Sequence, residues 1–332
     1  MENIIKEPEQ LTAGVTMIGT SSWGSQTTGI GSVMGSSWSD KIVFDAQPDR
    51  VLSKHFLEFN DLMGNNDVTI VIPKIGDIDL MGGRTGSAEG VARVMTKFDT
   101  ADNITVSLTS ANVKLGGCEV SFETASATRV SIIEMAHKQL VRQYLNTIET
   151  DANSTLEGAT IGSTTAWSVF GGTTHTDGSA ITTTMIAGDV IDVDKIVDMK
   201  IRLQEVNFAK NPGEAVLIMH PTQFKQLLKS SQFTNAAEFG APSVVRKGVI
   251  EEYIGVIIEV STLCSSKTQG VACHYCYMID PTAAAGIVWK EKAKVKVVTE
   301  DDERVHKVLL DAWYNMTLIN HAAVVIGVFS NA

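Results

Sequence analysis

Apolar positions change their spacing several times along the chain. From Leu11 to Ser39 there is no sustained helical or strand period, and the stretch is rich in Gly, Ser and Thr. Val68-Thr-Ile-Val-Ile72 then reads as a strand ended by Pro73. Met81 to Gly86 is polar and turn-forming. Ile104-Thr-Val-Ser-Leu108 alternates as a second strand, and Val113 to Phe122 alternates less regularly, with a break at Gly116-Gly117. The span 68–122 therefore reads as one long β-hairpin, which would need another surface to lean on.

The period becomes helical at Ile133, His137, Leu140, Val141, Tyr144, Leu145 and Ile148. Ser131 with Glu134 has capping-box spacing, so a helix of about 30 Å is predicted over 131–152. Between Gly158 and Gly188, 18 of 31 residues are Gly, Ser or Thr, which predicts short strands and loops separating two regions. Beyond Asp189 the pattern is α/β. Val193 to Phe208 is an amphipathic helix capped by Asp192, and Ala215 to Met219 is a buried strand. Pro221 opens a short helix through Leu228, and Gly248 to Val260 is strand, turn at Gly255, strand. Near the end, Lys292, Lys294 and Lys296 share one strand face, with Ala293, Val295 and Val297 on the other. Glu300-Asp-Asp-Glu303 makes an acidic turn, Val305 to Ile319 returns as a partner strand, and Ala322 to Phe329 is a last strand.

Composition narrows the class. The 332 residues carry a formal charge of −11, with 44% hydrophobic and 20% charged residues, so a real core can form. At roughly 150 residues per domain, about two domains are expected. No apolar run reaches the ~18–20 residues that cross a bilayer, and Met1 to Glu7 does not read as a signal peptide. Four cysteines in such a length fit a reducing compartment. The acidic balance argues against a nonspecific nucleic-acid binder.

Candidate chemistry is sparse. Cys273-His274-Tyr275-Cys276 has redox or zinc spacing, but on a strand its cysteines face opposite ways and no second pair completes a site. His220, at a strand end before Pro221, has no accompanying nucleophile elbow, zinc helix or phosphate loop. Glu300 to Glu303 lacks the spacing of a calcium loop. The Gly29, Gly31, Gly35 pattern misses the dinucleotide spacing, and three glycosylation tripeptides carry no weight without a signal peptide. The expectation is a protein with no active site, no metal and no cofactor. Trp23 and Trp38 read either as anchors of an arm lying on another surface or as part of a disordered tail.

The order of arm, hairpin, long helix and α/β region resembles the major capsid proteins of tailed bacteriophages and their archaeal relatives, the Hong Kong-ninety-seven fold. Met219-His220-Pro221, Leu227-Leu228-Lys229, Phe233, Gly248-Val249-Ile250 and Tyr253-Ile254-Gly255 carry it, along with Val295 to Val298 before the acidic turn. Ile72-Pro73-Lys74-Ile75 with Glu89-Gly90 looks like the base of the family's extended loop. The resemblance covers nearly the whole chain. It implies an α+β fold with an N-terminal arm (1–60) and an extended β-hairpin loop with its base (61–127). A peripheral domain (128–187 and 287–318) would hold a spine helix at 131–152, and an axial domain would take 188–286 and 319–332.

The implied function is a major capsid protein that self-assembles into hexamers and pentamers of an icosahedral shell around double-stranded DNA. The DNA would be enclosed without sequence-specific binding, behind a mildly repulsive acidic inner wall. Implied partners are other copies of the chain, a portal protein at one vertex, and optionally separate scaffolding and decoration proteins; no membrane is implied. The location would be the virion, after synthesis in host cytoplasm. Expected assembly residues are Trp23, Trp38, Arg84, Lys292, Lys294, Lys296, Glu300, Asp301, Asp302 and Glu303. The arm starts almost at Met1, so no N-terminal cleavage is expected. Lys74 and Lys97 have no matching asparagine or catalytic glutamate, so no isopeptide crosslinking is expected. The alternatives are an encapsulin-like nanocompartment shell, against which the Gly/Ser-rich residues 11–39 count, an enzyme using His220 or Cys273/Cys276, and a secreted β-rich adhesin.

Overall fold

A buried carboxylate fixes the start of the described chain. Glu149, fully buried on a long helix, accepts from Leu52 N (2.8 Å), Ser53 N (3.0 Å) and Ser53 Oγ (2.5 Å). These donors open a short 3-10 turn, Ser53–His55, so the carboxylate satisfies N–H groups that the turn leaves unpaired. The structure is a computed structural model and describes residues 50–74, 102–127, 132–161, 168–172, 175, 178–206, 208–230 and 252–331.

The long helix runs Ile132–Ile161, nine residues past the predicted end. Local propensity predicts a stop because Asn153, Ser154, Thr155 and Gly158 are poor helix formers. Packing overrides it: Ala152, Leu156 and Ala159 are fully buried. Thr150 and Thr155 return their hydroxyls to the carbonyls of Asn146 and Asp151, and Asn153 Nδ2 donates to Glu149 O and to Leu263 O. Ser131, the predicted cap, lies outside the described residues.

The chain divides into two compact units. In the larger, strands β5 (Ser168–Phe170), β6 (Ala215–Met219), β7 (Glu252–Tyr253), β8 (Val256–Val260), β9 (Ser266–Gln269), β10 (Val271–Ile279) and β13 (Val324–Ser330) form one sheet. Its order is β5-β13-β10-β6-β8-β7, with β9 also on β10. β6 and β8 are parallel, joined through the helix Pro221–Lys229. The helix Val193–Glu205, capped by Asp192 accepting from Lys195 N, buries Val193, Ile196, Met199 and Leu203 in the sheet's core. Within the Gly/Ser/Thr-rich segment, Ser168–Phe170 forms β5, parallel to β13 at the sheet's end, and Gly171 lets the backbone approach Asp189: a Cβ there would lie 2.1 Å from Asp189 O.

In the same unit, β2 (Thr69–Lys74) and β3 (Asp102–Ser107) form the predicted ribbon. Ile70, Ile72, Ile104 and Val106 turn one face onto Leu62, Leu108 and Val288, while Val71 on the other face is exposed. Pro73 does not end β2. Leu108 N donates to Val68 O (2.7 Å), so positions 68, 70 and 72 are the hydrogen-bonded ones, and Pro73, opposite Asn103, needs no N–H.

Strand β4 (Val113–Ser121) is not part of that hairpin. It joins a four-stranded sheet of order β1-β11-β12-β4, with β1 at Leu57–Phe59, β11 at Ala285–Glu300 and β12 at Val305–Leu318. In the smaller unit, its Cys118 and Val120 pack with Val308, Val295 and the helix residues Ile132, Ile133, Ala136 and Leu140. This burial exceeds anything a two-stranded ribbon offers. Gly116-Gly117 does not break β4; a Cβ on Gly117 would stand 3.0 Å from Leu309 Cδ2, so the glycine permits a close approach.

Two outcomes are expected in urea titrations of the purified chain. Glu149→Ala strands two buried N–H donors and lowers stability by about 3 kcal/mol, with Glu149→Gln recovering part of it. Gly171→Ala forces β5 off Asp189 and lowers stability by about 2–3 kcal/mol.

Candidate functional site

The predicted assembly residues that the structure describes lie along β11 and its turn. In the larger unit Lys292 Nζ stands 3.3 Å from Glu58 and 5.9 Å over the Trp289 ring, and Lys290 donates to the carbonyls of Asn65 and Asp67. In the smaller unit Lys296 pairs with Asp311 at 3.3 Å, and Lys294 is engaged as well. The turn is organised by Lys307, a residue the sequence reading did not single out. Its ammonium meets Glu300 (2.6 Å), Glu303 (2.7 Å) and Glu119 (3.6 Å). Hydrogen bonds that Lys307 donates to Glu300 and Glu303 hold its ammonium above its usual range, and Lys307 in turn holds the Glu303 carboxyl below its own. Arg304 pairs with Glu123 at 3.2 Å, while Asp301 and Asp302 at the apex are exposed. Trp23, Trp38 and Arg84 lie outside the described residues, as do Phe233 and Gly248 to Ile250.

The cysteine motif is built as core. Cys273 and Cys276 sit on opposite faces of β10, Cys273 donating to Lys267 O (3.5 Å) and Cys276 to Gln223 Oε1 (2.8 Å). Burial pushes both thiols up, and pushes Cys264 up to about 12, so these groups are protonated at neutral pH and unsuited to nucleophilic attack. Cys118, Cys264, Cys273 and Cys276 are all free.

His220 caps the helix Pro221–Lys229. Its Nδ1 accepts from Thr222 N (3.2 Å), and its ring stacks on His274 at 3.7 Å and 18°. Gln223, fully buried, locks the pair: Nε2 donates to His274 O (2.7 Å) and Oε1 accepts from His220 N (3.3 Å). Burial, then the charge of His274, lowers the His220 pKa; burial lowers that of His274. Both rings are thus held neutral, and neutrality is what the cap requires, since a protonated Nδ1 cannot accept and a cation opposes the helix dipole.

A second histidine pairing escaped sequence reading. His175 Nε2 stands 2.8 Å from Oδ2 of Asp189, which also accepts from Ile186 N (2.8 Å). The two residues are 14 apart in a Gly/Thr-rich loop, a spacing with no motif value. Among the described residues no hydroxyl or thiol completes a triad with His175. A cleft of about 220 Å³ is lined by Lys114, Asp151, Ser154, Thr155, Tyr314 and Asn315. Its charges are already spent, because Asp151 accepts from Lys114 (2.8 Å) and Tyr314 (2.8 Å). Among the described residues no cluster of His, Cys, Asp and Glu has metal-binding geometry.

The neutral histidines set a pH dependence. Both folded pKa values lie below the ordinary 6.5, so their contribution is fully present above pH 6.5 and is lost as pH falls through the lowered values. Urea midpoints are expected to drop between pH 7 and pH 5, and the drop should flatten in His220→Asn, which caps without titrating, and in His274→Phe. An equal pH slope in the double variant would contradict this assignment.

Solved structures similar in fold to this chain include phage capsids. The capsid of cyanophage Pam1 is similar in fold, with a TM-score of 0.68 at 16% identity over 90% of this chain and 96% of that one. The capsid of cyanophage P-SCSP1u matches at TM-score 0.64 and 9% identity over 98% and 99% of the two chains. That of Ralstonia phage GP4 matches at 0.63 and 11% over 96% and 98%. No curated protein sequence matches significantly. The fold is therefore the tailed-phage capsid fold that the order of motifs implies, and the encapsulin-like alternative is not favoured. A model of the phage capsid protein family matches residues 148–331, more than half of the 332, and on that match the chain belongs to the phage capsid protein family.

Proposed function

We propose that the chain is the major capsid protein of a tailed phage, self-assembling into hexamers and pentamers of an icosahedral shell that encloses double-stranded DNA. The observation that carries this reading is the extent of the likeness: a capsid family over 148–331, and a capsid fold over nine-tenths or more of both chains compared. In this reading 1–60 is the arm, 61–127 the extended loop and its base, 128–187 with 287–318 the peripheral domain, and 188–286 with 319–332 the axial domain. The role is structural, not enzymatic. Buried thiols, a cap histidine held neutral and a salt-bridged cleft support that view. Partners are other copies, a portal at one vertex, and optional scaffolding and decoration proteins, in a virion assembled in host cytoplasm.

The assembly contacts assigned to Trp23, Trp38, Arg84, the lysine face and the acidic turn belong to this proposal. Lys292, Lys296, Glu300 and Glu303 have partners within the chain, so their service to a neighbour is to hold the β11–β12 hairpin in one shape. Asp301 and Asp302, exposed at the apex, are the charges left to meet another copy, where they would set register more than affinity.

Light scattering and negative-stain microscopy of the purified chain, alone and with its neighbouring genes, should reveal closed particles or discrete hexamers and pentamers. Asp301→Lys with Asp302→Lys is expected to reduce particle yield roughly several-fold at low salt while leaving the subunit's thermal midpoint unchanged. A stable monomer under every condition would refute the shell reading.

A further inference from the structure

The β7–β8 hairpin closes through only two residues, Ile254 and Gly255, because Tyr253 pairs directly with Val256. Such a loop needs left-handed backbone at both central positions, the reason Asn-Gly is the preferred pair. Gly255 adopts φ +67° without strain, but Ile254 adopts φ +52°. A branched Cβ crowds the backbone there, and a β-branched residue in this region is a genuine outlier.

Ile254 remains 46% exposed, so its side chain gains little from burial. The tip is also held in place. Lys200 Nζ donates to Ile254 O (2.5 Å) and Gly255 O (3.4 Å), and Gly213 N donates to Gly255 O (3.0 Å). A Cβ on Gly255 would lie 2.9 Å from Pro212 Cα, so the backbone sits against that turn. Ile201, the residue after Lys200, is a further large apolar side chain at 45% exposure.

A lone exposed isoleucine is ordinary; a strained and rigidly presented one calls for an explanation outside the subunit. We propose that Ile254 is an assembly contact, an apolar knob that becomes buried against a second copy of this chain. The proposal rests on the shell reading above. Shell subunits meet through heterologous surfaces, so a projecting knob on one copy faces a different surface on the next. Nucleic acid is a less fitting occupant, because the Lys200 ammonium beside the tip is turned onto two carbonyls and not outward.

The test compares wild type with Ile254→Asn, Ile254→Val and Ile254→Cys in the full chain. In dissociated subunits Ile254→Asn should lower the unfolding equilibrium constant about ten-fold, since Asn relaxes into the turn. The same variant should lower particle yield at least about ten-fold, because the apolar contact is lost. Ile254→Val should match wild type in both. In Ile254→Cys, maleimide labelling of the new thiol, read by peptide mass, should be at least about ten-fold slower in particles than in subunits. If wild type assembles and Ile254→Asn assembles equally well, or the thiol stays equally reactive in particles, the contact is refuted while the shell reading stands. If wild type never assembles, even with its neighbouring genes, both fall.

Discussion

Strand β10 is the element on which the larger unit depends. From Cys273 to Ile279 it is buried, yet it carries two cysteines, a histidine and two tyrosines. Buried polar atoms without partners cost about 1–3 kcal/mol each, and neighbouring side chains partner several of those on and around β10, though not His274 Nδ1 or the Tyr277 hydroxyl. Gln223 serves the His274 carbonyl and the Cys276 thiol. Gln269 serves the Tyr275 hydroxyl at 2.7 Å and also reaches Ile181 O at 2.6 Å, which ties the Gly/Ser/Thr loop to the sheet. Just beyond the strand, the buried Asp280 accepts from Ala209 N and from Thr282 N and Oγ1, fixing two more turns. Each connection is dictated by what β10 buries. The cysteine and histidine motif is therefore spent on architecture, and its resemblance to redox or zinc spacing is incidental.

The same logic holds for charge. Glu149 is buried and satisfied by backbone donors from a segment almost a hundred residues earlier, which converts a costly group into a clasp. Along β11 and its turn, lysines and carboxylates pair inside the chain, so the hairpin presents a defined shape with little uncompensated charge apart from Asp301 and Asp302. Ion pairs this exposed add little stability. What they provide is geometry, which a protein built to meet copies of itself needs more than an extra increment of folding energy.

Exposed apolar side chains fit that picture. Leu115, Val71, Val297 and Ile254 are each about half exposed or more, on strand faces and a hairpin tip and not at loose ends. A monomeric enzyme would have little reason to hold them on rigid elements, whereas a shell subunit leaves apolar surface for its neighbours to cover.

Much of the architecture was legible in the sequence because it follows from local rules. The Asp192 cap, Pro221 at a helix start, the buried run Ala215–Met219, the turn at Gly255 and the alternation along β11 need only neighbours in sequence. The order of those elements was enough to imply the capsid fold. Tertiary structure decided what local rules get wrong. It carried the long helix through Asn153-Ser-Thr-Leu-Glu-Gly158, because burial of Ala152, Leu156 and Ala159 outweighs weak propensity. It moved β4 away from the β2–β3 ribbon to pack on a helix, and let Pro73 stay in β2 at a position that donates nothing. Only three dimensions could bring His220 onto His274, His175 onto Asp189 and Glu149 onto Ser53. Contacts between distant residues depend on which surfaces meet, and no spacing along the chain encodes that.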